Sequence, residues 1–118
     1  MGYTHYWQHN LDFSEADWKS ITDYAKSVIK TSGIPLAGSH GVKGTKPEIT
    51  DEDIWLNGVE KDSHETFYVA RHRDSGFCKT ERKPYDKVVV DILLYMNRFT
   101  NITVSSDGDD FSEGDNNA

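Results

Sequence analysis

Aromatic and β-branched residues fill positions 3–8, Tyr-Thr-His-Tyr-Trp-Gln, and these types suit a pleated, half-buried surface. This predicts a strand, whose side chains point alternately to its two faces, with Tyr3, His5 and Trp7 on one and Thr4 and Tyr6 on the other. Both faces carry aromatics, which places this strand inside its sheet. The period then changes. Trp18, Ile21, Ala25, Val28 and Ile29 recur at three- and four-residue steps, the stripe of an amphipathic helix. Ser14 supplies an N-cap hydroxyl, and Phe13 and Trp18 have the spacing of a hydrophobic staple. Gly33 and Pro35 end the helix, which is expected over 14–31. Residues 33–47 hold four glycines and two prolines, a loop long enough to be functional or mobile. A short strand follows over 54–59, a turn at Lys61-Asp62-Ser63, and a returning strand over 64–71, together a hairpin. Pro84 opens a second helix over 84–99, the most apolar stretch, with Tyr85, Val88, Val89, Ile92, Leu93, Met96 and Phe99 on its face. Residues 102–106 read as a last strand.

The order strand, helix, strand, strand, helix, strand is that of an α+β split βαβ (ferredoxin-like, βαββαβ) domain. It predicts a four-stranded antiparallel sheet with two helices on one face. At 118 residues the chain suits one domain, expected over 1–106. Residues 107–118 form an acidic, Gly- and Asn-rich tail of a composition that stays unfolded.

Charge changes the picture locally. The chain carries a net charge of -7, which argues against a general binder of nucleic-acid backbones. The tail alone holds five acids (Asp107, Asp109, Asp110, Glu113 and Asp115), and residues 48–65 hold seven acids and one lysine. Residues 71–87 are the exception, with six bases against three acids. No apolar run approaches the roughly 20 residues of a membrane span, and the start lacks the basic-then-apolar pattern of a signal peptide. One cysteine, Cys78, excludes an intramolecular disulfide and a Cys-rich zinc site, so a reducing, cytoplasmic setting is expected. No motif for a cofactor, phosphate loop, nucleophile elbow or paired carboxylates is present, and no cofactor is expected.

The basic segment is the first candidate for chemistry. Arg71, Arg73, Lys79 and Arg82 could contact a phosphate, with Thr80 donating to it or capping the helix that begins beyond it, where free amides would attract an anion. The competing reading is a solvated loop whose bases pair with the acids of 48–65. The first strand is the second candidate. Tyr3, His5, Tyr6 or Trp7 could stack a base on a sheet face that the helices leave open, or could instead serve packing and a homodimer interface. His5 and His9 would lie about 13 Å apart on one strand face, too far to share one zinc ion. A histidine, or Cys78 among Arg73, Lys79 and Arg82, could support acid–base or nucleophilic chemistry, although no spacing singles one out.

Met1-Gly2-Tyr3-Thr4-His5-Tyr6-Trp7, His64-Glu65-Thr66-Phe67, Phe77-Cys78-Lys79-Thr80 and Lys83-Pro84-Tyr85-Asp86 resemble a family of small, uncharacterised bacteriophage proteins. The resemblance covers most of residues 1–106. It implies a phage accessory protein of the host cytoplasm, and by analogy a counter-defence factor. Three function classes follow. The leading one is binding, and sequestration, of a phosphate-bearing, nucleotide-like small molecule. The second is an acidic, anti-CRISPR-like inhibitor that mimics nucleic acid and binds a host defence protein. The third is an enzyme acting on a nucleotide or its conjugate.

Overall fold

The computed structural model describes residues 4–107; Tyr3 and residues 108–118 of the acidic tail lie outside the described residues. The elements are β1 (Thr4–His9), α1 (Glu15–Thr31), β2 (Glu48–Ile49), β3 (Asp53–Leu56), β4 (Phe67–Ala70), β5 (Ser75–Lys79), α2 (Asp86–Met96) and β6 (Ile102–Ser106). The class is α+β, but the single four-stranded sheet is not observed. Six strands form two three-stranded antiparallel sheets, ordered β5-β1-β6 and β2-β3-β4.

The physical reason lies in the four residues between β4 and β5. Arg71 still donates its amide to the Glu52 carbonyl (2.8 Å), continuing the pairing of β4 with β3. Its own carbonyl already accepts from the Phe13 amide, and three residues on the Asp74 carbonyl accepts from His9 at the end of β1. The chain therefore exchanges one set of backbone partners for another within a single turn. The segment read as a basic loop becomes the strand beside β1, and β4 is left with the other sheet.

Several expectations hold. β3 and β4 form the predicted hairpin, Asp53 opposite Ala70 and Leu56 opposite Phe67. β1 is central in its sheet, with Trp7 opposite Gly76 on one side and Val104 on the other. Ser14 caps α1 by accepting from the Asp17 amide (3.1 Å), and the Phe13 and Trp18 rings lie 6.0 Å apart. α2 is shorter than expected, because residues 83–85 turn before the helix begins and residues 97–99 turn away after Met96.

One core joins both sheets and both helices. The inner face of β1 supplies His5, Trp7 and His9, the second sheet supplies Ile54, Leu56, Phe67 and Val69, and α2 supplies Val88, Val89, Ile92, Leu93 and Met96. Trp7 meets Phe67 edge to face (5.4 Å), which locks the sheets together, and Tyr24 of α1 stacks on Tyr95 of α2 (4.2 Å). The Trp7 indole lies so close over Gly76 that a Cβ there would sit 2.7 Å from the ring. Replacing Gly76 by alanine is expected to cost about 1–3 kcal/mol by overpacking, read as a lower urea midpoint at unchanged slope.

Candidate functional site

The motif segments singled out in the sequence converge at one end of the molecule. His5 is wholly buried, and its ring links three elements. A carboxylate can only accept, so the Nε2 proton of His5 goes to Asp86 Oδ1 (2.6 Å) in the first turn of α2. In the neutral ring Nδ1 then accepts from the Ser106 hydroxyl on β6 (3.0 Å). The buried Thr80 hydroxyl donates to the same Asp86 oxygen. Beside this chain, Glu65 accepts from the Lys79 amide through its carboxylate (2.8 Å) and from the Tyr85 hydroxyl through its carbonyl (2.6 Å). Buried Asn57 holds the same loop from the other side, donating to the His64 carbonyl and accepting from the His64 and Gly58 amides.

Left-handed backbone collects in the loops at this end. Glu81 (φ 53°) and Arg82 (φ 58°) are consecutive, inside a turn closed by the Lys83 amide on the Thr80 carbonyl (3.0 Å). Glu60 and His40 are also left-handed, and the His40 amide is tied to the Thr66 hydroxyl. Each such non-glycine residue costs of the order of 1–3 kcal/mol, and surrounding contacts hold it there.

The candidate residues divide sharply. Lys79, Thr80 and Arg82 lie at this end. Arg71 and Arg73 lie at the other end of β5, roughly 14 Å away along the strand. There Arg71 donates through Nε to the Phe13 carbonyl (2.9 Å) and reaches Glu52 (3.8 Å), while His72 meets Glu52 (2.9 Å). This is the pairing of bases with the acids of 48–65. The Arg73 amide donates to Asp12 (2.7 Å) and, with His72 beside it, holds that carboxyl below its usual range. The five expected anion contacts therefore do not meet on one ligand. The α2 N-terminus offers an anion little either: the Asp86, Lys87 and Val88 amides donate to the Lys83, Pro84 and Tyr85 carbonyls, and the Asp86 carboxylate occupies the first turn.

The aromatic expectation also divides. His5 and Trp7 face the core and present no surface for stacking. Tyr6 is exposed on the outer face of the β5-β1-β6 sheet, and opposite it stands Phe77, which sequence reasoning missed because it sat in a presumed loop. Their rings lie 6.5 Å apart, and the Tyr6 hydroxyl donates to Asp107 (3.1 Å). Ser75 and Lys79 share the face with Phe77 by strand alternation, and Thr103 and Ser105 line it from β6. A depression of about 300 Å³ bordered by Tyr6, Gln8, Ser75 and Ser105 lies over Gly76. Asp86, Ser106 and Glu65 were missed as well. Only the motif positions of Glu65 and Asp86 could have signalled them.

Cys78 lies opposite His5 in register but turns its thiol to the Glu65 carbonyl, and burial pushes that thiol up to about 12. No group of three or more metal-ligating side chains occurs among the described residues, and no described helix is long and apolar enough to cross a membrane. Two predictions follow from these environments. Native protein at pH 8 should resist iodoacetamide at Cys78 and take up one equivalent only after denaturation, measured by intact mass. The second concerns His9, whose burial lowers its pKa below 6.5 against the opposing carbonyls of Leu11 and Ala70 and the carboxylates of Asp12 and Asp74. The unfolded chain binds the His9 proton first, so this contribution is complete above pH 6.5 and is lost as pH falls below it. His9→Gln should flatten the slope of stability against pH between 6.5 and 5 in urea titrations.

Compared with known proteins, the chain matches no family model, no curated protein and no solved structure.

Proposed function

We propose that the chain binds a phosphate-bearing, nucleotide-like small molecule on the outer face of the β5-β1-β6 sheet. The observation that carries this reading is the exposed Tyr6–Phe77 pair on a helix-free sheet face that also bears Lys79. Aromatic rings on an open antiparallel sheet stack nucleobases, each stacked base contributing about 1–3 kcal/mol. Lys79 stands two residues along β5 from Phe77, roughly 7 Å, a span that fits the distance from a stacked base to its phosphate. The hydroxyls of Ser75, Thr103 and Ser105 border the same face and can meet a sugar. Binding without turnover would sequester the ligand. Together with the resemblance to phage accessory proteins, that gives the chain a role in removing a host signal.

The acidic-inhibitor reading finds less support. Within 48–65, Glu52 is engaged by Arg71 and His72, Asp53 by the Thr50 hydroxyl, Glu60 by the Lys43 amide and Glu65 by the Lys79 amide. Four of the seven carboxylates of this segment are thus engaged within the chain, although Glu52 and Glu60 stay exposed, as do Glu48, Asp51 and Asp62.

Isothermal calorimetry with a panel of cyclic and linear nucleotides tests the proposal. At least one is expected to bind. Tyr6→Ala and Phe77→Ala should each weaken it by about 1–3 kcal/mol, Lys79→Ala should weaken phosphorylated ligands more than their nucleosides, and Arg71→Ala and Arg73→Ala should change nothing. Absence of heat across the panel, or affinity indifferent to both aromatic variants, overturns it.

A further inference from the structure

We propose that the depression between α1 and β2 binds a single-chain amphiphilic anion, an alkyl tail that ends in a carboxylate or phosphate. The depression encloses about 360 Å³, within the range of small-molecule sites, and its lining divides into two chemistries. Ile29 of α1, Pro47 and Ile49 of β2 are half-buried and supply the apolar part. Lys26, Lys30 and Lys46 are exposed and supply the charge.

The three cations gather in a chain of net charge -7, and no described carboxylate pairs with any of them. Lys26 also borders the neighbouring groove that carries Glu15, Asp23, Asp51 and Glu52, yet it bonds to none of these acids. Glu48 lies between Pro47 and Ile49 in sequence, and strand alternation turns it to the face opposite Ile49. Lys26 and Lys30 stand one helical turn apart and repel each other. The helix dipole accounts for Lys30, in the last turn of α1, but for neither of the other two. Their charge is therefore available to a ligand. The lysine stems extend the apolar surface of Ile29, Pro47 and Ile49 while the ammonium groups stay in water. An alkyl tail laid on that surface is covered by the stems, and its anionic head meets the ammonium groups. A compact anion would use the charges and leave the apolar lining bare. An anionic membrane surface is drawn by clusters of roughly four to eight bases, more than this site holds. The inference does not rest on ligand binding at Tyr6 and Phe77, which belong to the other sheet.

Titration of the full chain with monomeric decanoate, followed by amide chemical shifts, tests this without any nucleotide. Saturable shifts are expected at residues 26–30 and at Lys46, Glu48 and Ile49, and decyl phosphate should give the same pattern. Decanol, which lacks the charge, should bind more weakly. Acetate, which lacks the tail, should not saturate these shifts. Lys26→Gln and Lys46→Gln should each weaken decanoate by roughly two- to fivefold, the range of an exposed ion pair, and leave decanol unchanged. Ile49→Ala should weaken decanoate and decanol alike, and Lys61→Gln, in the β3–β4 connection, should change neither. Decanoate held no more tightly than decanol, an affinity indifferent to both lysine variants, or shifts centred elsewhere overturns the inference. Binding to phosphatidylglycerol vesicles without binding of monomeric decanoate overturns it too, and would mark a membrane-facing surface instead. A nucleotide panel that gives no heat would leave it standing.

Discussion

An imidazole with no exposed surface must find a partner for each nitrogen inside the protein, and much of this structure is arranged around meeting that demand for His5. Leaving a buried polar atom unpaired costs about 1–3 kcal/mol, and more where a charge is involved. His5 sits on the central strand of its sheet, so its partners must come from neighbours on either side of the ring. Ser106 comes from β6, and Asp86 comes from the first turn of α2, 81 residues along the chain. Asp86 can reach the ring only if α2 starts where it does, and the turn at Thr80–Lys83 sets that start. Tyr85, the residue before Asp86, then fills the space beside Gly58 and bonds to the Glu65 carbonyl. One buried ring thus ties β6 to the entry of α2, while Asn57 and Tyr85 hold the loop that follows β3.

This dependence explains which parts of the architecture were readable in the sequence. Periodicity finds what a single segment does alone. The Ser14 cap, the stripe of α1 and the apolar face of α2 are local features, and all three are present. The β3–β4 hairpin was readable because two short apolar runs, Ile54-Trp55-Leu56 and Phe67-Tyr68-Val69, flank a polar turn. β5 was not, because Ser-Gly-Phe-Cys-Lys has one glycine, one charge and no run of β-branched residues. It is a strand for tertiary reasons. Gly76 gives room to the Trp7 indole, and Cys78 packs into the core opposite His5. Propensity contains neither fact, and with β5 missed, the division into two sheets could not be drawn.

The candidate site follows the same logic. A run of bases in sequence became alternating directions in space once the run proved to contain a strand. Phe77 and Lys79 face outward, Cys78 faces inward, and Arg71 and Arg73 stop at the far end beside Asp12 and Glu52. Tyr6 was correctly taken as a surface aromatic only in part, since its neighbours His5 and Trp7 were credited with the same role although they point to the opposite face. The alternation that placed Tyr6 apart from them was already written in the strand pattern. What it lacked was the knowledge of which face the helices cover. Asp86 was counted as one acid diluting a basic cluster, although its carboxylate is the partner of a histidine at the other end of the chain.

The surplus of acidic residues bears on the proposed ligand in a way that composition alone obscures. A net charge of -7 repels an anion at long range, yet beyond about 8 Å such repulsion is screened at physiological ionic strength. Close to the sheet, the nearest charges decide. Around Phe77 these are Lys79 on the same face and Asp107 held by the Tyr6 hydroxyl, one of each sign. Their near cancellation would leave ring stacking as the dominant attraction for the proposed ligand, with its phosphate held by one cation and not drawn in by a field. A nucleic-acid backbone needs many cations in a row, and among the described residues the strands present one on this face, Lys79. A single nucleotide needs a ring-sized platform and one counter-charge, which is the selectivity the proposed site would have.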